Sequence, residues 1–279
     1  SYGDDDAPPV LLVMGLGAQM TLWPAGFIST LLDRGFRVIR FDNRDTGLSS
    51  KTAGPPPNVM AMYANFMSGQ PIEAPYTLSL MASDAVGLLD ALEIPAAHVV
   101  GASMGGMIVQ TIAIEHPDRV LSLTSIMSTT GHTEVGQPDP EAMMSLLSPV
   151  PDGRNEAIEA NVNAARLVSG DLFDEGESRR VATESYDRCF HPSGAMFHIA
   201  AIAASGDRTQ ALQQLDVPTL VIHGRQDSLI TLSGGEATAG AVPAADLLVF
   251  GQMGHDMPQR YWPQMADAIS NIATRGAGL

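Results

Sequence analysis

The chain is poor in lysine and in cysteine. Among its 279 residues it has a single lysine, Lys51, and a single cysteine, Cys189. One cysteine excludes an intrachain disulfide and fits a reducing compartment, so we expect a cytoplasmic protein. Acidic residues outnumber Lys and Arg by 31 to 15, which gives a formal net charge of −16. Because nucleic acids and anionic membranes bind through clustered cations, neither is an expected partner.

Long apolar runs are also missing. The first nine residues (SYGDDDAPP) are polar and acidic, unlike the basic and then apolar start of a signal peptide. One long uncharged stretch, residues 96–114, is interrupted by His98 and by several Gly, Ser and Gln residues. It therefore predicts a strand, a turn and a helix rather than a membrane span. Hydrophobic residues make up 45% of the chain, enough for a buried core, which excludes disorder for most of it.

Short β-branched apolar runs alternate with helical patterns along most of the chain. This alternation is typical of a parallel sheet with crossover helices, so we predict a mostly parallel, doubly wound α/β sheet. The alternation stops between residues 128 and 213, a segment with 13 acidic residues and 6 Arg. We therefore predict an α/β core formed by residues 1–127 and 214–279, with a helical cap inserted as residues 128–213. The predicted strands are residues 10–14, 36–41, 98–100, 120–127, 217–223 and 246–250.

Ser103 is the first candidate for catalysis. It lies in a G-x-S-x-G motif, Gly101-Ala-Ser103-Met-Gly105, directly between a predicted strand and a predicted helix. A serine on this turn is exposed beside the positive end of the following helix. The flanking glycines let the strand and the helix pack closely. The motif predicts a nucleophile, and the alternative is a tight turn with a capping serine.

A nucleophilic serine needs a base and an orienting acid. His255 lies in the loop after the last predicted strand, and Asp227 follows the strand before it. Because loops gather at the carboxyl ends of parallel strands, we predict that both lie near Ser103. The other histidines are interpreted as structural or as part of the insertion: His98, His116, His132, His191, His198 and His223.

Two backbone amides are candidates for the oxyanion hole. Met104 follows the serine and supplies one N–H group. The second is expected from the loop after the first predicted strand, at Leu16. Each such donor contributes on the order of 3 kcal/mol to stabilising the transition state.

The same loop invites a second interpretation as a dinucleotide-binding turn. Gly15-x-Gly17 follows a strand, and Asp42 ends the next one, as in the dinucleotide fingerprint. The third glycine is missing, because Met20 stands in its place. The chain also lacks H-E-x-x-H, C-x-x-C and G-x-x-x-x-G-K-[ST], so neither a metal nor nucleotide hydrolysis is expected. We expect no cofactor.

Five segments together resemble one known family. They are Leu12-Val-Met-Gly-Leu-Gly17, Phe41-Asp-Asn-Arg-Asp-Thr-Gly-Leu-Ser49, Gly101-Ala-Ser-Met-Gly-Gly106, His223-Gly-Arg-Gln-Asp227 and Gly254-His255. The chain is similar to the α/β-hydrolase fold family, and in particular to its aclacinomycin methylesterase and carboxylesterase branch.

The resemblance implies an eight-stranded sheet, a helical cap and ester hydrolysis without a cofactor. It implies Ser103 as nucleophile, His255 as base and Asp227 as orienting acid. Asp42 and Arg44 match a position that braces the loop beside the site.

The chain departs from that family at two points. Many members have His-Gly where this chain has Met14-Gly15, which should leave the backbone donor intact. Members usually begin with an antiparallel strand pair, but only nine residues precede Val10. The first strands are therefore expected to be shortened or missing, which leaves a sheet edge that needs cover.

The predicted function is hydrolysis of a small-molecule carboxylic ester through an acyl-enzyme. Three alternatives stay open. A cofactor-free perhydrolase would use the same three side chains. A hydrolase that cleaves a carbon–carbon bond of a dienoate would need cationic cap residues to bind the substrate carboxylate. A receptor-like binding protein with little turnover would also keep Ser103, Asp227 and His255.

Overall fold

The computed structural model describes residues 1–58, 61–62, 64–65, 68 and 70–276. In this part of the chain the strands are β1 (Pro9–Val13), β2 (Arg37–Arg40), β3 (Ala97–Ala102), β4 (Val120–Ile126), β5 (Thr219–Gly224) and β6 (Asp246–Phe250). These six strands form one sheet, in the order β2-β1-β3-β4-β5-β6. All five neighbouring pairs are parallel, which confirms the predicted α/β sheet.

Helices cover both faces of this sheet. The sequence of β1 is a continuous apolar run because its side chains are buried on both faces of the sheet, alternating from one face to the other. The helices of the core are α1 (Ala25–Leu32), α2 (Leu78–Ala91), α3 (Met104–Glu115), α9 (Leu232–Ala241) and α10 (Trp262–Gly276). Leu11 and Val13 pack with α2 and α3, and Val10 and Leu12 pack with α1 and α10.

The segment between β4 and β5 is helical. No strand occurs in residues 128–213, all of which the structure describes. We call this segment the helical insertion. Exposed ion pairs such as Arg154–Asp187 and Arg166–Glu175 join neighbouring helices there, and each contributes little to stability. Its helices are α4 (Pro140–Leu147), α5 (Arg154–Val168), α6 (Glu175–Arg188), α7 (Gly194–Ser205) and α8 (Thr209–Leu212).

The edge of the sheet at β2 differs from what the resemblance implies. Six strands rather than eight are present among the described residues. The outer edge of β2 is still covered at one point, because Tyr2 forms an antiparallel bridge with Val38. The Tyr2 N–H donates to the Val38 carbonyl at 2.8 Å, and the Val38 N–H donates back at 2.9 Å. The predicted bare edge is thus partly closed by a single residue instead of a strand.

The turn between β3 and α3 requires glycine for reasons of space. A Cβ atom at Gly105 would collide with the carbonyl of Val13 on β1, and one at Gly101 would collide with the carbonyl of Gly105. Backbone from two strands and a helix therefore meets here without intervening side chains. This contact brings the start of α3 against the end of β1.

We expect Gly105→Ala to lower the free energy of unfolding by about 1–3 kcal/mol, because the added methyl group must push α3 away from β1. Gly87→Ala is the matched control, since Gly87 is exposed within α2 and its Cβ would meet nothing within 4 Å. That change should raise the free energy of unfolding by about 0.5–1 kcal/mol. Urea unfolding of both variants measures the difference. A Gly105→Ala midpoint equal to that of the unchanged protein would contradict the packing argument.

Candidate active site

Ser103 occupies the sharp turn between β3 and α3. Its φ of 58° and ψ of −123° are unusual for a residue with a side chain, and such backbone strain is concentrated at functional sites. The Ser103 N–H donates to the Ile126 carbonyl of β4 at 2.9 Å, which fixes the turn from the other side. The serine is half-buried, with its hydroxyl directed to the carboxyl edge of the sheet.

His255 and Asp227 meet Ser103 at this edge. Nε2 of His255 lies 2.9 Å from Oγ of Ser103, and Nδ1 lies 2.8 Å from Oδ2 of Asp227. A carboxylate accepts only, so Nδ1 carries the imidazole proton and Nε2 accepts from the serine hydroxyl. The structure thus brings together the three side chains that the sequence singled out, from the loops after β3, β5 and β6.

The second oxygen of Asp227 is held by backbone. Oδ1 accepts the N–H groups of Leu229 at 2.9 Å and Ile230 at 2.8 Å, in the loop that follows the aspartate. These bonds fix the carboxylate plane and leave Oδ2 for His255. Because the side chain is fully buried, its interaction with an imidazolium would be little screened by solvent.

The helical insertion holds two of these loops in place. The backbone N–H of His255 donates to the Val168 carbonyl, at the end of α5, at 2.7 Å. Gln226, next to Asp227, accepts the Asp171 N–H at 2.8 Å and donates to the Asp171 carboxylate at 2.9 Å. Residues 168–171 therefore hold both the loop that carries Asp227, which we call the acid loop, and the loop that carries His255, which we call the base loop.

His223 is the other histidine near Asp227, but its hydrogen bond goes to backbone and not to Ser103. It is fully buried, and its Nε2 donates to the Ile230 carbonyl at 2.8 Å. Its Nε2 lies 3.6 Å from Oδ2 of Asp227. Burial lowers the pKa of His223, so the ring is kept neutral beneath the acid loop.

The loop after β1 lies beside the serine. A Cβ at Gly15 would be 3.0 Å from the Cβ of Ser103, because β1 and β3 are neighbours with Val13 opposite Gly101. Within the described part of the chain, the N–H groups of Leu16 and Met104 donate to no other group. Two unengaged amides near the serine hydroxyl suit an anionic oxygen.

Leu16→Pro tests the proposed donor at this loop, because proline removes the N–H group. We expect kcat on a small acetate ester to fall by about 10²–10³-fold. Leu16→Ala is the control: it keeps the N–H and should retain most of kcat. Proline also restricts Gly15 before it, so thermal melting must show that the variant is folded. Near-normal turnover by a folded Leu16→Pro variant would assign the second donor to another residue of the loop.

Asp42 and Arg44 are both engaged by the chain itself. Oδ1 of Asp42 accepts the Met20 N–H at 2.9 Å, and Oδ2 forms an ion pair with Arg188 at 2.7 Å. Burial alone would raise the pKa of Asp42, but the hydrogen bonds from Arg188 and the backbone hold it below its ordinary value. Arg44 binds Asp84 through two hydrogen bonds of 2.6 and 2.7 Å. An Asp42 carboxylate used in this way is not free for the ribose of a dinucleotide.

Sequence reasoning missed several groups that hold this site. His198, interpreted only as part of the insertion, accepts the Gly17 N–H, and Asn43 donates to the Met14 carbonyl at 2.8 Å. Gln226 also went unnoticed. Asn43 and Gln226 lie in segments already singled out, so their position was the available signal; His198 has no such signal.

Two other kinds of site are absent from the described part of the chain. No helix in residues 1–58 or 70–276 has both the length and the apolar composition needed to cross a membrane. The same residues contain no group of three or more His, Cys, Asp or Glu side chains arranged to hold a metal ion.

Known proteins resemble this chain over nearly its whole length. The family model of the alpha/beta hydrolase fold matches residues 8–258. The rhodomycin D methylesterase of Streptomyces peucetius is 28% identical over 288 residues, covering 96% of this chain and 91% of that protein. The 2-hydroxymuconate semialdehyde hydrolase of Pseudomonas sp. (strain CF600) is 29% identical over 266 residues, covering 93% and 82%. The structure of an esterase from Exiguobacterium antarcticum is similar in fold, with a TM-score of 0.74, 19% identity and coverage of 98% and 93%.

Proposed function

The chain belongs to the α/β-hydrolase fold family, and on that premise we propose that it is a serine carboxylesterase acting through an acyl-enzyme. The observation that carries the proposal is the chain of hydrogen bonds from Ser103 through His255 to Asp227, with distances of 2.9 and 2.8 Å. The rhodomycin D methylesterase, whose name describes an ester hydrolase, supports the same reaction class.

The first half of the reaction forms the acyl-enzyme. Oγ of Ser103 attacks the ester carbonyl carbon while its proton passes to Nε2 of His255. Asp227 stabilises the imidazolium through the Nδ1–H bond, and the N–H groups of Leu16 and Met104 bind the developing oxyanion. When the tetrahedral intermediate collapses, the C–O bond to the alcohol breaks. His255 then gives its proton to the departing alcohol oxygen.

The second half releases the acid. A water molecule gives a proton to Nε2 of His255 and attacks the acyl carbon of Ser103. The same two amides bind the second oxyanion. Collapse breaks the bond between Oγ and the acyl carbon, and the proton returns from His255 to Oγ of Ser103. The cycle needs no group other than water and the residues named.

We propose that the helical insertion, residues 128–213, acts as a cap on a core of residues 1–127 and 214–279. The support is topological: the insertion leaves the sheet after β4 and returns to it at β5. Because the strands are parallel, β4 ends at the edge where Ser103 lies, so the insertion starts beside the site. In this role it would select the acyl and alcohol groups of the substrate.

A second candidate is hydrolysis of a carbon–carbon bond in a dienoate. It is favoured by the similarity to a protein named 2-hydroxymuconate semialdehyde hydrolase. A dienoate substrate carries a carboxylate. Such a substrate needs an unpaired cation near the site. The six arginines of the insertion are all engaged within the protein: Arg154, Arg166, Arg179 and Arg180 pair with acidic residues of the insertion, Arg188 with Asp42, and buried Arg208 with Gln110 and backbone carbonyls. Within the insertion, no arginine is left unpaired to bind a substrate carboxylate, which favours the ester over the dienoate.

One substrate panel separates these functions. It contains p-nitrophenyl esters of increasing acyl length, methyl esters of larger acids, a carboxylate-bearing dienone, and an acid with hydrogen peroxide. We expect steady turnover of at least one ester and none of the dienone. Consumption of the dienone without ester turnover would establish the second candidate. Net peracid formation would identify a perhydrolase, and binding without turnover would indicate a receptor-like protein.

A further inference from the structure

His198 lies on α7 of the helical insertion and is fully buried between two loops of the core. Its Nδ1 accepts the Gly17 N–H at 3.0 Å, and its Nε2 lies 2.8 Å from the Arg44 carbonyl. Neighbouring Ala195 also contacts the loop, since a Cβ at Gly17 would lie 3.3 Å from its Cβ. The ring thus connects the insertion to the residue next to Leu16.

These two contacts fix the protonation state of the ring. A carbonyl only accepts, so Nε2 carries the proton, and Nδ1 then has a free lone pair for the Gly17 N–H. Burial lowers the pKa of His198, and this outweighs the opposing effects of the Arg44 carbonyl and the Asp45 carboxylate. The ring therefore stays neutral, with Nδ1 as an acceptor.

The loop at Leu16 needs such an external hold. Gly17 has a φ of 65°, which is suited to the third position of a turn from Gly15 to Ala18. The hydrogen bond that closes this turn, from the Ala18 N–H to the Gly15 carbonyl, is long at 3.4 Å. The peptide group between Leu16 and Gly17 can rotate in a turn of this kind, since turn types differ mainly in its orientation. The shorter bond to His198 holds it in one orientation.

We infer that His198 is a positioning residue for the oxyanion hole: by accepting the Gly17 N–H, it fixes the position of the Leu16 Cα, and with it the Leu16 N–H of the preceding peptide group, relative to the oxyanion. The inference rests on the proposed function, in which Leu16 supplies one of the two donors. It gives a residue of the insertion a part in the chemical step. On the other side of Leu16, the bond from Asn43 to the Met14 carbonyl fixes the start of the loop.

Loss of this hold should affect the transition state more than substrate binding. An oxyanion donor acts on charge that develops during the reaction, so its misplacement lowers kcat with little change in KM. Removing one donor costs about 10²–10³-fold in kcat, and a displacement near 1 Å costs up to about 10²-fold. A loop freed from His198 keeps its donor but no longer aims it. We expect a loss of about 10–100-fold.

Two substitutions divide the contacts of the ring. Asparagine places an oxygen near the position of Nδ1, so His198→Asn keeps an acceptor for the Gly17 N–H. Glutamine reaches the position of Nε2, so His198→Gln keeps a donor to the Arg44 carbonyl and leaves Gly17 unpaired. Ser205→Ala is the matched control, because Oγ of Ser205 on the same helix accepts the Leu78 N–H of the core at 2.9 Å, away from the site.

Steady-state kinetics and thermal melting of these variants test the inference. We expect His198→Gln to lose about 10–100-fold in kcat with KM within about 3-fold, while His198→Asn stays within about 3-fold of the unchanged protein. Ser205→Ala should lower Tm without changing kcat. Equal kcat losses in the Asn and Gln variants, or a folded Gln variant with unchanged kcat, would overturn the inference.

A measurement on the unchanged protein covers the case in which the variants do not fold. Gly17 is exposed, so its amide proton should exchange slowly with solvent only if the bond to His198 forms. Fast exchange would overturn the inference. If the unchanged protein shows no ester turnover dependent on Ser103, the proposed function fails and this inference with it. Ester turnover together with a fully active, folded His198→Gln variant refutes the inference alone.

Discussion

Ser103→Ala is expected to abolish ester turnover, with a fall in kcat on the order of 10⁴–10⁶-fold. The hydroxyl is the only group of this residue that can form the acyl bond, and losses of this size follow removal of a triad nucleophile. A serine-directed phosphonate should add one adduct to the unchanged protein, seen by mass spectrometry, and none to the variant. Ser148→Ala, which alters an exposed serine of the insertion, should keep both turnover and labelling. Labelling that survives the loss of Ser103 would refute the assignment.

His255→Ala is expected to lower kcat by several orders of magnitude, about 10⁴–10⁶-fold, because the serine then has no base. His223→Gln is the comparison, since glutamine can keep the hydrogen bond that His223 donates to the Ile230 carbonyl. It should change kcat by less than about 10-fold. The two variants are compared by steady-state kinetics after circular dichroism shows that both are folded. A small loss in kcat for His255→Ala together with a large loss for His223→Gln would mean that the base was assigned to the wrong histidine.

The features that could be predicted from the sequence are those determined by residues close together in the chain. The apolar runs that became β1 and β3 are set by local periodicity, and the turn at Ser103 is set by glycines two residues away on either side. The positions of Asp227 and His255 followed from one further rule, that parallel strands end at a common edge. The described residues form six strands rather than the eight of the family, in keeping with the expected shortening or loss of the first strands, and Tyr2 alone bridges the edge of β2.

The parts that could not be predicted depend on distant residues. His198 and Gly17 are 181 positions apart, and neither has a local pattern that points to the other. Their contact exists because α7 packs across the loop after β1, and the docking of the insertion is decided by side-chain shape. The pairing of Gln226 with Asp171, which are 55 positions apart, has the same origin. Hydrophobic periodicity shows which face of a helix is buried but not which partner it meets.

The fastening of the acid and base loops by residues 168–171 bears on how new specificities arise in such an enzyme. The insertion that we propose as a cap also supplies the Val168 carbonyl to His255 and the Asp171 carboxylate to Gln226. If the whole insertion were replaced by that of a relative, the enzyme would gain a new pocket. At the same time, the loops that carry Asp227 and His255 would lose their support. Transplanting the whole segment is a poor route to new substrates. Divergence by single substitutions between these anchor points leaves the catalytic loops supported at every step.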